Sequence, residues 1–172
     1  MNTRRKIVVL RGYMASGKST TLANLKLRKK MRDWIFIDFE KIREMFNNNE
    51  KTRIEYADRA FFAILKEMIK TKRNIITQET SEEMLRKNIG SEIKKYKYQI
   101  EVIALTISPE TSYLRVAERR RARGIKPRPR KEVYESHKNR QETLSKEKVF
   151  INTENLTKEQ VVDAVLKLIF KK

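Results

Sequence analysis

The chain has no cysteine and a single histidine, His137. The first absence excludes disulfides, thiol catalysis and cysteine-ligated zinc. The second excludes histidine-rich metal sites and two-histidine zinc motifs. A metal here would be a hard cation held by oxygen, such as magnesium. No run of 18 apolar residues occurs, so no transmembrane helix is expected. The basic stretch Met1–Lys6 leads into an apolar run too short for a signal-peptide core, which makes the cytoplasm the expected location. What the chain does have is positive charge. Among 172 residues, 41 are Lys or Arg and 22 are Asp or Glu, a formal net charge of +19. Such a field concentrates polyanions: nucleic acid, nucleotides or an anionic surface.

Length and pattern indicate one domain over residues 1–172. Short apolar runs at 7–10, 34–37, 74–77 and 100–107, with a weaker one at 149–151, read as strands buried on both faces. Helical patterns separate them. Ile54, Ala57, Phe61, Ile64, Leu65 and Met68 form one predicted stripe. Thr80 with Glu83, and Thr157 with Gln160, read as capping boxes, and Ser108-Pro109 as a helix start. This alternation predicts an α/β fold with right-handed crossovers.

Gly12-Tyr-Met-Ala-Ser-Gly17-Lys18-Ser19 fits G-x-x-x-x-G-K-[ST] between the first strand and a helical stretch, the context this phosphate-binding loop requires. Glycine admits backbone angles that let N–H groups converge on phosphate, and the following helix adds its positive end. Gly12, Ala15, Ser16, Gly17, Lys18, Ser19 and Thr20 are therefore the expected nucleotide-binding residues. Lys18 would reach the β- and γ-phosphates of ATP, and Ser19 would ligate magnesium.

The loop alone does not name the reaction. No N-K-x-D base-reading motif is present, and the third strand ends Thr77-Gln78-Glu79-Thr80 rather than in the acidic pair usual in motor ATPases. The second strand ends Ile37-Asp38-Phe39-Glu40-Lys41-Ile42-Arg43. A carboxylate there could accept the proton of an acceptor hydroxyl, and an arginine could hold an acceptor phosphate. Glu40 is the candidate base and Arg43 the acceptor-orienting residue. Asp38 is read as a magnesium ligand or loop-positioning residue. Residues 115–131 are rich in arginine and lysine, with Gly124, Pro127 and Pro129 among them. They suit a lid from which Arg119 or Arg123 stabilises charge on the transferring phosphoryl group. Trp34 and Phe36 read as core residues of the second strand, His137 as a satisfied residue, and Tyr96 and Tyr98 as the junction between a helix and a strand.

With these motifs the chain resembles the polynucleotide 5′-kinase and zeta-toxin group of P-loop kinases. The likeness rests on the phosphate loop, on Asp38-x-Glu40-x-x-Arg43, and on Arg119-x-x-x-Arg123-Gly124-x-Lys126-x-x-Pro129. The stretch from Ser108 to Ala117 and the helix from Val133 to Leu144 look more like the zeta toxins. The resemblance implies a P-loop NTPase three-layer sandwich with a five-stranded parallel sheet in the order 2-3-1-4-5. It also implies an Arg-rich lid, ATP as donor and magnesium as cofactor. The chain departs from the family where Glu40 stands in place of the usual aspartate and Gln78 in place of the usual acid. The basic charge favours the 5′-hydroxyl of RNA or DNA as acceptor. The rivals are a nucleotide-sugar acceptor, as in zeta toxins, and a nucleotide-binding regulator that hydrolyses slowly.

Overall fold

In a computed structural model, residues 5–46 and 50–171 are described. The strands are β1 (Arg5–Gly12), β2 (Ile35–Ile37), β3 (Ile75–Gln78), β4 (Tyr98–Thr106) and β5 (Phe150–Asn152). They form one sheet in the order β2-β3-β1-β4-β5, with β2 parallel to β3 and β4 parallel to β5. The sheet is parallel throughout, so both the α/β class and the order implied by the resemblance are borne out. The helices are α1 (Lys18–Lys26), α2 (Phe39–Glu44), α3 (Glu50–Lys70), α4 (Glu82–Lys95), α5 (Pro109–Arg121), α6 (Arg130–Leu144) and α7 (Lys158–Ile169). Among the described residues, no helix is long and apolar enough to cross a membrane.

The chain divides into two compact units. One is made of the described residues of Met1–Val9 and Leu25–Glu101, the other of Leu10–Asn24 and Val102–Lys172.

In the first unit, β3 is buried along its whole length, as expected of a strand covered on both faces. The buried stripe of α3 is Ala57, Phe61, Phe62, Leu65 and Ile69. This corrects the predicted stripe, because Ile54 and Ile64 are exposed. Phe61 meets Phe39 edge-on and lies beside Phe62, so aromatic packing from the start of α2 turns α3 away from the predicted face. The start of α4 also differs by one residue. Ser81, not Thr80, is the N-cap, and its Oγ accepts from Met84 N. The backbone turns at Glu79 (φ +66°), which buries Thr80 and presents Ser81 to the helix end. Tyr96 is the C-cap of α4. Tyr98 is buried, and its hydroxyl donates to Arg73 O (2.6 Å) and Ile69 O (3.3 Å), which ties the end of α3 to β4.

In the second unit, α5 starts at N-cap Ser108, with Pro109 in its first turn. Thr157 and Gln160 make the full capping box of α7. Val161, Val162, Val165 and Ile169 are its buried face. The helix α5 stops where Gly124 takes φ +67°. There Ile125 N donates to Arg120 O, and Gly124 N to Arg121 O. Those two bonds are a Schellman stop, which needs a residue at positive φ and therefore favours glycine.

Tyr98→Phe removes a hydroxyl bonded to two carbonyls in a buried place. Urea unfolding should show a loss of about 1–2 kcal/mol. An unchanged midpoint would mean that these bonds do not hold α3 to β4.

Candidate active site

The loop between β1 and α1 is built from its carbonyls outward. Five consecutive peptide oxygens, Gly12 to Ser16, accept hydrogen bonds from side chains of the same unit. Lys18 Nζ donates to Gly12 O (3.0 Å) and Tyr13 O (2.7 Å). Arg140 Nη1 donates to Gly12 O (2.9 Å), and Ser112 Oγ to Met14 O (2.7 Å). Arg115 Nη1 reaches Ala15 O (3.5 Å), and Thr153 Oγ1 donates to Ser16 O (3.2 Å). With the oxygens taken up inside the protein, and with Ser16 N donating to Tyr13 O (3.2 Å), the loop's other amide N–H groups are the ones left to meet an anion.

Gly12 fixes how closely the loop approaches β4. At its φ of +151°, a Cβ would sit 2.2 Å from Leu105 O and 2.7 Å from Ser16 Oγ, so only glycine fits. Ser16 Oγ is buried and has no hydrogen-bond partner among the described residues. A donor left over inside a loop whose acceptors are all engaged suits an anionic ligand.

Above the loop, Tyr13 stacks on His137, with centroids 3.5 Å apart and planes 8° apart. His137 Nε2 lies 2.8 Å from Ile107 O. The histidine is thus satisfied by the fold, as the sequence suggested. Burial pushes the Tyr13 hydroxyl above its ordinary pKa. Arg115 also donates to Thr153 O (3.2 Å) and Glu154 O (3.3 Å). The Glu154 carboxylate accepts from Thr111 Oγ1, Ser108 N and Ser108 Oγ, which hold it below the usual carboxylate range. It pins the segment after β5 to the start of α5.

The first unit carries the acidic element. Asp38 is the N-cap of α2. Its Oδ1 accepts from Gln78 Nε2 (2.6 Å), Glu40 N (3.1 Å) and Lys41 N (3.4 Å). Gln78 is fully buried, so the residue that replaces the family's usual acid braces Asp38. Glu40 lies in the first turn of α2, half-buried, with Oε1 3.5 Å from Arg43 Nη1.

Residues 115–131 do not form one loop. Arg115 and Arg119 lie on α5, Arg123 and Arg128 on the connection, and Arg130 and Lys131 on α6. Arg119 and Arg123 are exposed, and neither side chain hydrogen-bonds to the phosphate loop. Arg130 pairs with Glu110 and lies over the rings of Tyr134 (5.2 Å) and Tyr113 (5.8 Å).

Ser19 and Thr20, the last expected nucleotide-binding residues, are exposed in the first turn of α1. Among the described residues, no group of three or more acidic or histidine side chains could hold a metal by itself. Magnesium commonly takes one or two protein oxygens and completes its shell with phosphate and water. The Ser19 hydroxyl and the Asp38 carboxylate are oxygen donors of that kind.

Sequence reasoning missed Arg140, Ser112 and Thr153, and it noted Gln78 only as a departure from the family, not as the partner of Asp38. Arg115 was placed in the lid, whereas it braces the loop. Each acts on a partner 38 or more residues away, or beyond a strand, and no short motif marks such a pairing.

The sheet order, the glycine-bounded loop and its lysine define a kinase of the P-loop class, an α/β phosphotransferase fold that binds a nucleotide. The zeta-toxin family profile matches residues 1–168, and the chain belongs to that family. A search of curated proteins finds no match by sequence. Similar solved structures include a protein from Chloroflexus aurantiacus described as a candidate kinase, with a TM-score of 0.72 at 12% identity, covering 98% of both chains. Shikimate kinase from Aquifex aeolicus gives 0.61 at 21%, covering 95% of both. A chain of the Pnkp1/Rnl/Hen1 RNA repair complex gives 0.65 at 18%, with 86% of this chain covering 48% of that one. At these identities the likeness is one of fold.

Gly12→Ala should abolish binding of a fluorescent ATP analogue and lower the unfolding midpoint, since the new methyl meets a strand carbonyl. Full affinity in this variant would contradict the close approach of the loop to β4.

Proposed function

We propose that the protein transfers the γ-phosphate of ATP, bound with magnesium, to a hydroxyl acceptor, and that this acceptor is the 5′-hydroxyl of a polynucleotide. The observation that carries the transfer is the phosphate loop with its carbonyls engaged and Lys18 lodged in it. The loop's N–H groups and Lys18 bind the phosphates, and Ser19 and Asp38 are the assigned magnesium ligands. Bound magnesium would neutralise charge on the phosphate oxygens. Glu40 takes the proton of the acceptor hydroxyl as its oxygen bonds to the γ-phosphorus and the bond to the β–γ bridging oxygen breaks. Arg43 orients the acceptor, and Arg119 or Arg123 offsets the charge of the transferring group. The exposed cations of the α5–α6 connection favour a polyanionic acceptor. Within residues 115–140 there are 11 basic and 3 acidic residues.

The family match supports a second reading, a small nucleotide-sugar acceptor of the kind phosphorylated by zeta toxins. The two readings separate when label from γ-phosphate is followed into a 5′-hydroxyl oligonucleotide or into a UDP-sugar, with Lys18→Ala as the blank. Label in free phosphate alone would favour a slowly hydrolysing regulator over both.

Glu40→Gln should retain ATP binding and lose roughly 10²–10⁴ in single-turnover rate. Asp38→Asn should cost less, and a larger loss at Asp38 would move the base to that carboxylate.

The lid gives a different signature. Arg123→Ala should cut kcat by roughly 10³, by analogy with arginine fingers. Arg128→Ala should raise acceptor KM and lower the salt dependence of acceptor binding by about 0.7 in log–log slope. A wild-type slope of zero between about 50 and 200 mM salt would eliminate a polynucleotide acceptor.

A further inference from the structure

The buried stripe of α3 carries one acid, which the transfer reaction does not use. Asp58 stands three residues before Phe61, four before Phe62 and seven before Leu65, so it lies on the same face of the helix. Phe61, Phe62, Leu65 and, further down, Ile69 are buried. Asp58 is half-buried, and no hydrogen bond or ion pair among the described residues engages its carboxylate. Burial pushes that carboxyl above its ordinary pKa. A partly buried charge with no partner costs stability, so packing gives no reason for an acid at this place.

The height of Asp58 on the sheet follows from the contacts of α3 at its two levels. The foot of the helix lies at the amino ends of the strands. There Ile69 O and Arg73 O accept from the hydroxyl of Tyr98, the first residue of β4. Asn74 Oδ1 accepts from Lys6 N in β1, and Asn74 O accepts from Ile35 N, where β2 begins. Higher up, Phe61 meets Phe39, two residues after β2 ends. The helix therefore runs antiparallel to the strands, and Phe61 marks their carboxyl ends. Asp58 is nearly one turn beyond Phe61, about 4.5 Å past that edge at the usual rise. It faces the space above the carboxyl ends of β2 and β3, where Gln78 and Asp38 meet. A parallel sheet binds its ligands outside those ends. Ile54, a further turn out on the same face, is 39% exposed, so the outer end of the stripe is open.

We propose that Asp58 binds a sugar hydroxyl of the phosphate acceptor and sets a preference for acceptors that carry one. Resting on the transfer reaction proposed above, this assignment adds a specificity residue on α3 to Glu40 and Arg43 on α2. A carboxylate repels a phosphate and accepts from a hydroxyl, as an acid does from the ribose 2′-hydroxyl in dinucleotide sites. On a polynucleotide the hydroxyl is the ribose 2′-hydroxyl that separates RNA from DNA. On a nucleotide-sugar it is a ring hydroxyl. Partial burial strengthens such a bond, since little water competes for it.

Asp58→Asn keeps the shape of the side chain and removes its charge. The unfolding midpoint at neutral pH should be kept or raised, because the charge that burial disfavours is gone. The measurement is kcat/KM on two 5′-hydroxyl oligonucleotides of one sequence, one RNA and one DNA. Wild type should favour RNA. In Asp58→Asn the RNA-to-DNA ratio should fall roughly 10- to 100-fold, through KM, as expected for one hydrogen bond to a charged group. A wild type indifferent to the sugar, an unchanged ratio in the variant, or an equal loss on both strands would overturn the proposal. Label passing to a UDP-sugar and to neither strand would remove the polynucleotide reading and move the test of Asp58 to that acceptor. There a KM rise of the same size upholds the assignment, and an unchanged KM overturns it. Label in free phosphate alone would overturn both.

Discussion

Five peptide carbonyls in a row, from Gly12 to Ser16, are held by side chains, and the character of the phosphate loop depends on this. A short loop that turns its N–H groups toward an anion must put its oxygens somewhere, and a buried carbonyl without a donor is costly. Lys18, Ser112, Arg115, Arg140 and Thr153 supply the donors. They come from α1, α5, α6 and the segment after β5, so most of the second unit is committed to the loop's shape. Gly12 completes the arrangement, because any side chain there would strike Leu105 O.

The same logic divides the arginines into two groups. Arg115 and Arg140 are fixed on backbone carbonyls, and Arg130 is fixed on Glu110 and two tyrosine rings. Arg119, Arg123 and Arg128 remain exposed. A charge already satisfied by the fold contributes shape, and a charge left in solvent can still be spent on a ligand. The net charge of +19 therefore overstates the cations available for binding.

In the first unit, Asp38 is occupied as a helix cap and by Gln78, and this separates it in kind from Glu40, two residues on. A carboxylate that anchors a helix end is held still, while one in the first turn, 3.5 Å from Arg43, keeps freedom to meet a proton donor. The replacement of an acid by Gln78 has a physical consequence here: an amide can donate to Asp38, whereas a second carboxylate would repel it.

The fold's elements were legible because their signals are local. Apolar runs marked all five strands to within a few residues, and Ser108 and the Thr157–Gln160 pair marked two helix starts through bonds spanning three residues. The phosphate loop was legible for the same reason, its glycines and lysine lying within eight positions. The exposed side of α3 was not legible, since Ile54 and Phe62 are both apolar and only packing against Phe39 and Phe61 chooses between them. Nor was the N-cap at Ser81, which a left-handed Glu79 decides. The sequence by itself determined the alternation of strands and helices, the phosphate loop and the acidic and basic stretches that follow it. Only the tertiary structure decided which cations are spent on the fold. Arg140 and Gly12 are 128 residues apart, and Arg115 and Ala15 are 100 apart, distances over which no spacing rule operates and only the closing of the sheet brings donor to acceptor.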